Sequence, residues 1–258
     1  MTEGRDQRIV IVMPAYNAAA TLEDTVGLIP DGFADEVIVV DDASLDSTLT
    51  VASRLDVETV PLPHNVGYGG NQKTCYLEAL RRDADVVVML HPDGQYDPKL
   101  IPDLVRPILD GEADMVLGSR LAQGREVTLA GGMPWWKYLA NRFLTTTENT
   151  VLGTSFTELH TGYRAYSRGF LESIPFLRNS NDFVFDSEVI VQSVAFKQRV
   201  VEVPVPTKYF DDASSVGFRT SMIYGTKTLG TLVRYVLHRS GLRKAAFLEP
   251  VRRGVKQS

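Results

Sequence analysis

The sequence predicts an α/β fold in which a mostly parallel central sheet is covered by helices on both faces. Three observations carry this. Short Val/Ile/Leu runs alternate with helix-length segments of about 10–15 residues, the pattern of successive βα units. The runs are apolar nearly throughout, as strands buried on both faces require. Polar clusters follow the carboxyl end of each run, where open α/β sheets bind their ligands.

The elements follow in order. RIVIVM (8–13) is a β-branched strand ending at Pro14, and residues 21–29 place apolar side chains at helical spacing behind Thr21, a candidate N-cap. DEVIVVDD (35–42) is the second strand, followed by a helix over 44–55 with Asp46 or Ser47 as cap. VETVPL (57–62) is the third strand and residues 69–83 a helix. ADVVVML (84–90) is the fourth strand, residues 98–111 are helical, and ADMVLGSR (113–120) is the fifth strand. Beyond Arg120 the pattern loosens: a glycine-containing loop, an amphipathic helix over 135–153, a mixed stretch around TGYRAYSRGFLESI, a helix over 185–196, an extended segment over 199–210 and a polar loop, DDASSVGFRTS.

The composition narrows the class. The chain has 258 residues, 44% hydrophobic and 23% charged, an ordinary globular balance. A net charge of −5 argues against a nucleic-acid partner. The single cysteine, Cys75, excludes an internal disulfide and fits a reducing compartment. No apolar run approaches the roughly 20 residues that span a bilayer, and the polar start, MTEGRDQR, lacks a signal-peptide core. The expectation is a soluble cytoplasmic protein. Charge is uneven: from Arg234 onward seven Lys/Arg face one acid, Glu249, a net of +6 that leaves the preceding residues at −11. Such a segment is either a solvated helical tail or one drawn to an anionic surface.

The strand ends supply the chemistry. Asp41, Asp42 and Asp46 follow the second strand; a carboxylate there accepts from a ribose hydroxyl or a base N–H, while Asp46 reads as a helix cap and Asp42 as a second donor contact or a solvated side chain. NVGYGGNQKT resembles a phosphate loop, but Gln72 stands where its second glycine must be. Gly69 and Gly70 instead let the backbone pass close to a nucleotide or a neighbouring strand. In HPDGQ after the fourth strand, Asp93 can hold Mg²⁺ or Mn²⁺ through oxygen, with substrate phosphates completing the coordination. The ion would neutralise charge on a departing diphosphate; the competing reading is a turn shaped by His91 and Asp93. Arg120 can grip a diphosphate in bidentate fashion, with Arg125, Arg164, Lys208 and Arg219 as weaker candidates. His160, Tyr163, Asp186 and Glu188 are polar groups on apolar ground, and His160, Asp186 or Glu188 can serve as general base to an acceptor hydroxyl. A satisfied core histidine and a helix cap at Asp186 compete with that role.

VIVMPAYNA, VIVVDDASLDST, NVGYGGNQ, DVVVMLHPDGQYDPKLIPDLV, MVLGSR, TGYRAYSR and EVPVPTKY, taken together and in order over about residues 8–210, resemble the successive motifs of glycosyltransferase family 2. The nearest branch is the dolichol-phosphate mannose synthase-like and polyprenyl-phosphate glycosyltransferase-like enzymes. The resemblance implies a GT-A fold, a UDP- or GDP-linked sugar donor, a divalent metal (Mg²⁺ or Mn²⁺), inversion at the anomeric carbon and, in that branch, a polyprenyl-phosphate acceptor. By position it implies that Pro14 and Tyr16 line the nucleotide pocket, that Asp41 contacts base or ribose, and that Asp93 is the second acid of the D-x-D metal motif with Gln95 beside it. Arg120 then lies near the donor phosphates, and Lys208 matches the basic residue before a mobile loop. Two positions depart: Ala18 replaces a usual glutamate, and His91 replaces the first acid of D-x-D. His91 therefore ligates a transition metal, orients Asp93, or marks a weakened site. On this reading residues 1–215 form the transferase domain, with a nucleotide-sugar half (1–120) and an acceptor half (121–215). Residues 216–258 form a basic amphipathic tail whose Leu229, Leu232, Val233 and Val236 share a face that can lie on the inner surface of a membrane. Two rivals share the fold: a sugar-nucleotide-binding protein weakened at His91, and a nucleotidyltransferase, which would release pyrophosphate.

Overall fold

The computed structural model describes residues 6–206 and 218–250, with only the backbone given for 218–220. Seven strands, β1 (Ile9–Ala15), β2 (Glu36–Asp41), β3 (Glu58–Pro61), β4 (Val86–Met89), β5 (Met115–Ser119), β6 (Arg164–Ser167) and β7 (Val200–Pro204), form one sheet in the order β3-β2-β1-β4-β6-β5-β7. The helices among the described residues are α1 (Leu22–Gly27), α2 (Thr48–Ala52), α3 (Tyr68–Arg81), α4 (Ile101–Leu109), α5 (Arg125–Ala130), α6 (Trp135–Leu152), α7 (Arg168–Ser173), α8 (Phe185–Ala195) and α9 (Phe218–Arg239).

The five strands expected from the apolar runs are present, and β1–β4 are mutually parallel. The mixed stretch around residue 164 holds what periodicity did not show: β6 enters antiparallel between β4 and β5. It spans four residues, too short to display a period, and one of them is the fully buried Arg164.

Alternation along β1 builds two cores. Val10 and Val12 pack with Cys75 and Tyr76 of α3 and with Val189 and Ile190 of α8. Ile9, Ile11 and Met13 pack on the other face with Leu22 of α1 and with Leu104 and Val105 of α4. The sheet is therefore covered on both sides, and its strands must be apolar on both faces.

The connections reverse direction between β1 and β4: β2 and β3 lie on one side of β1, and β4 with all later strands on the other. Such a switch point opens a crevice at the carboxyl ends. β1 and β4 pair only as far as Val12 and Met89, so Pro14 lies beyond their shared ladder and removes no bond from it.

The described part of the C-terminal segment is packed rather than free. Leu232 and Tyr235 of α9, together with Phe247, join the core against α8. Gln192 Nε2 donates to the Phe247 carbonyl at 2.7 Å, and Arg178 donates to the Glu249 carbonyl at 2.9 Å. The face expected to be uniformly open is thereby divided: Leu232 is buried, whereas Val233 and Val236 remain exposed. No helix among the described residues is long and apolar enough to cross a membrane.

Candidate active site

The crevice between β1 and β4 collects the loops after β1, β2, β3 and β4. The first two are stitched together: Asn17 N–H donates to Ser44 Oγ (2.9 Å), Leu45 N–H to Asn17 Oδ1 (2.8 Å) and Ala18 N–H to Thr48 Oγ1 (2.8 Å). Ser47 holds the N-cap position of α2 without a side-chain bond, and Asp46, one residue earlier, accepts from Thr48 N–H and from Ala19 N–H, so it serves the start of α2 while also fastening the β1 loop. Thr21, by contrast, caps nothing with its side chain; its hydroxyl donates to the Pro92 carbonyl and fixes the loop after β4.

Three groups at this edge bear on a ligand. Tyr16 is 49% exposed, an open aromatic face beside half-buried Pro14. Asp41 is fully buried, with Oδ2 accepting from Ser44 N–H at 3.1 Å and Oδ1 without a partner. A buried acceptor left unpaired costs about 1–3 kcal/mol, a cost that a ligand donor would remove. Asp93 accepts with Oδ1 from Gln95 N–H at 3.0 Å, the turn-shaping role foreseen for it, which leaves its second oxygen for a ligand.

Asp42 departs from the solvated alternative. It is 3% exposed and accepts from Val66 N–H (2.7 Å) and Gly67 N–H (3.1 Å), which ties the loop after β3 to β2. Burial pushes its carboxyl up, more than those two bonds pull it down. Its oxygens shape the loop and do not face a nucleotide unengaged.

Behind the Asp93 turn lies a polar layer. Tyr68, at the start of α3, donates to Asp186 Oδ2 (2.7 Å), and its hydroxyl lies 3.3 Å from His91 Nε2 with the two rings stacked. Gln72 Nε2 donates to Asp186 Oδ1 at 3.2 Å, and Arg164 Nη1 sits 3.4 Å from the same oxygen. Arg164 is wholly buried and also donates to the carbonyls of Thr161 (2.7 Å) and Asp186 (3.2 Å). It cannot grip a diphosphate; it holds Asp186 from beneath. Burial lowers the His91 pKa more than the carboxylates of Asp93 and Asp186 raise it, so the ring is neutral at neutral pH and retains a lone pair.

Among the described residues no three His, Cys, Asp or Glu side chains gather to hold a metal by themselves. One uncommitted carboxylate oxygen, on Asp93, with neutral His91 two residues away, fits an ion that takes its other ligands from phosphate and water.

Residues 10–174 match the profile of glycosyl transferase family 2, well over half of the chain. The chain belongs to that family. A UDP-N-acetylglucosamine–dolichyl-phosphate N-acetylglucosaminyltransferase of Methanococcus voltae is 26% identical over 239 residues, 86% of this transferase and 93% of the relative. An undecaprenyl-phosphate mannosyltransferase of Micrococcus luteus is 30% identical over 209 residues, 77% and 82% of the two chains. Glucosyl-3-phosphoglycerate synthase of Mycobacterium tuberculosis, solved with uridine diphosphate, superposes with a TM-score of 0.69 at 23% identity, over 92% of this chain and 82% of the other. A second structure of that synthase, holding Mn²⁺, uridine diphosphate and glucosyl-3-phosphoglycerate, gives 0.67 at 21% identity over 92% and 81%. The transferase thus has the GT-A fold that its motifs implied.

From the end of β5 onward, the expected polar residues are held in pairs. Arg120 donates through Nε to Glu158 Oε1 (2.8 Å), through its backbone N–H to Glu158 Oε2 (2.7 Å) and through Nη2 to the His160 carbonyl (2.8 Å). Burial pushes the Glu158 carboxyl up, but the Arg120 charge and bonds outweigh this and hold it below the usual range. Arg120 is therefore not a guanidinium awaiting phosphate: fully buried Glu158, 38 residues downstream, takes it. His160 Nδ1 lies 2.7 Å from the Tyr224 hydroxyl, and its Nε2 is 2.9 Å from Glu148 Oε2, off line for a hydrogen bond. Glu188, in the first turn of α8, accepts from Ser180 N–H (2.6 Å) and Arg234 Nη1 (2.9 Å), and burial raises its pKa. Lys208 lies outside the described residues, as does the Arg219 side chain.

Gly69 has a different neighbour from either expected one. A Cβ there would come within 2.5 Å of the Ser180 carbonyl oxygen and 2.8 Å of Phe185 Cβ, so the glycine admits the loop before α8. Gly69→Ala is expected to destabilise the protein by about 1–3 kcal/mol, read as a lowered Tm; an unchanged Tm would remove this role. Lys73, the phosphate-loop candidate, donates instead to the Asn179 carbonyl (2.5 Å) and Asn181 Oδ1 (2.6 Å) of the same loop. Sequence reasoning did not find Tyr68, Gln72, Glu148 or Glu158. Tyr68 and Gln72 stood in NVGYGGNQKT, and Glu158, two residues before His160, stood in ELHTGYR, but no role was assigned to them there; Glu148 carried no signal.

Proposed function

We propose that this transferase moves a sugar from a nucleoside diphosphate sugar, UDP- or GDP-linked, to a lipid phosphate of polyprenyl type, with inversion and with a divalent cation at Asp93. The observation that supports a phosphate acceptor is the state of the three candidate bases. Asp186 is held by Tyr68, Gln72 and Arg164; Glu188 by Ser180 and Arg234; His160 by Tyr224, with Glu148 against its other nitrogen. A hydroxyl acceptor needs a base within reach. A phosphate arrives already anionic and attacks without one. Relatives are named for dolichyl-phosphate and undecaprenyl-phosphate acceptors, which agrees with this reading.

In the donor half, the exposed Tyr16 ring stacks on the base, and the orphaned Asp41 oxygen accepts from base or ribose. Asp93, with Gln95 and His91 beside it, holds Mg²⁺ or Mn²⁺ against the donor diphosphate. The ion, when bound, offsets charge developing on the leaving nucleoside diphosphate. Asp186, fixed from three sides, sets the position of Tyr68 and through it the recessed His91 ring. Arg120, neutralised by Glu158, ties the end of β5 to the segment before β6. The basic C-terminal segment and the cytoplasmic face of a membrane complete the expected setting.

The test supplies UDP- and GDP-sugars with Mn²⁺ or Mg²⁺ and offers a short-chain polyprenyl phosphate beside the matching alcohol. Transfer to the phosphate with release of nucleoside diphosphate and an inverted anomer is the expected result. Transfer to the alcohol alone would overturn the acceptor reading, and pyrophosphate release would make the protein a nucleotidyltransferase.

A further inference from the structure

α6 and α9 lie side by side and run in the same direction. Gly225 faces Leu144 near their middles, and further along Thr147 and Val151 meet Leu229 and Val236 across an apolar groove of about 290 Å³. On α6, Trp135, Leu139 and Phe143 are 68%, 55% and 64% exposed and spaced four apart, so they form one row that continues through Thr147 into the groove. On α9, Met222, Ile223, Val233 and Val236 are exposed as well. Seven of the fifteen exposed large hydrophobic side chains among the described residues therefore lie on two adjacent helices. Scattered exposed apolar residues need no explanation; a contiguous seam marks an interaction surface.

The charge on these helices selects the partner. Their 40 residues contain one acid, Glu148, which is buried against His160. Among their cations, Lys227 and Arg234 are paired with Asp182 and Glu188. Lys137, Arg142 and Arg239 have no carboxylate partner among the described residues, and Arg243 and Lys244 follow α9. An apolar row with unneutralised cations and no exposed acid complements the headgroups of an anionic bilayer. A self-complementary protein interface would need acids that this face lacks.

The surface also lies where a lipid acceptor would arrive. Tyr224 in the first half of α9 contacts His160 and Ser187, and Ser187 adjoins Asp186 of the site. The exposed row on α6 extends from Phe143 back to Trp135, about 12 Å at 1.5 Å per residue. Lys137 lies near enough to Arg120 for that charge to lower its pKa, after burial.

We propose that the α6/α9 face is a docking surface for an anionic membrane, with Trp135, Leu139 and Phe143 entering the boundary between headgroups and acyl chains. Its purpose, presenting the acceptor half to a membrane-borne phosphate, rests on the function proposed above; its binding does not. The test is sedimentation of the full chain with vesicles that contain no polyprenyl lipid, composed either of phosphatidylglycerol with phosphatidylcholine or of phosphatidylcholine alone. Wild type is expected to partition at least about tenfold more strongly onto the anionic vesicles, with loss at high salt. The variant W135S/L139S/F143S is expected to lose at least about tenfold of that partitioning at unchanged Tm and circular dichroism, and Leu28→Ser, on the opposite layer, to lose none. Both proteins should turn over a short-chain soluble acceptor equally. Wild type left in the supernatant, undiminished binding by the triple variant, or a wild-type dimer that the triple variant converts to monomer would overturn the proposal. Vesicle binding without turnover of any lipid phosphate would leave the docking surface standing and remove the acceptor reading alone.

Discussion

Asp93→Asn is expected to lower sugar transfer by on the order of 10³-fold while leaving the fold intact. Asn keeps an oxygen to accept the Gln95 N–H that shapes the turn, so the loop after β4 retains its form, as does the Thr21 contact to the Pro92 carbonyl. What disappears is the negative charge. An amide oxygen is a weak partner for a divalent ion, and Asp93 offers the uncommitted carboxylate oxygen beside His91 at the switch point. The measurements are turnover with Mn²⁺ or Mg²⁺ and the rise in Tm produced by donor plus metal, which should shrink in the variant because binding to the native state is lost. A variant that turned over donor within about threefold of wild type would show that the cation, if used, sits elsewhere.

Arg164→Met is expected to destabilise the protein by about 3–5 kcal/mol, because it strands Asp186 in a buried position without its cation. Asp186 is 8% exposed, and Tyr68 and Gln72 would remain as its neutral donors. The Thr161 and Leu159 carbonyls would lose their guanidinium donors at the same time. For a chain of this size each kcal/mol lowers Tm by about 2–4 °C, so the expected fall is roughly 6–20 °C. Adding Asp186→Asn should return part of that loss, since a neutral amide needs no counter-charge, and the double-mutant cycle reads the coupling directly. A single variant melting within about 2 °C of wild type would mean that Asp186 does not depend on Arg164.

Asp41 and Asp93 could be singled out on the chain because each closes an apolar run, and a carboxylate at the end of a doubly covered strand has few structural reasons to be there. Pro14 and Tyr16 followed from the same logic at the end of β1. The fate of Arg120 could not be read that way. Its partner Glu158 lies 38 residues on, beyond α5 and α6, and no local period connects them. Arg164 stood among the weaker candidates for a diphosphate grip for the same reason. Its burial follows from β6 entering between β4 and β5, a pairing that four residues cannot announce. Tyr68 stood just before the expected helix and Gln72 only broke a phosphate-loop pattern, and their role exists only because α8 brings Asp186 against α3.

The amino-acid order by itself determined the parallel α/β framework, the end of the sheet that carries the chemistry, and the family. These depend on period, on apolar continuity and on motifs whose residues are neighbours in the chain. The tertiary structure alone decided which charged side chains are free and which are consumed. Whether a carboxylate or guanidinium can meet a ligand depends on the desolvated partner it already has, and that partner arrives from a distant segment through strand order and helix packing. The same holds for the α6/α9 seam: each helix is amphipathic on its own, but only their parallel packing sets which apolar residues enter the core and which remain facing outward.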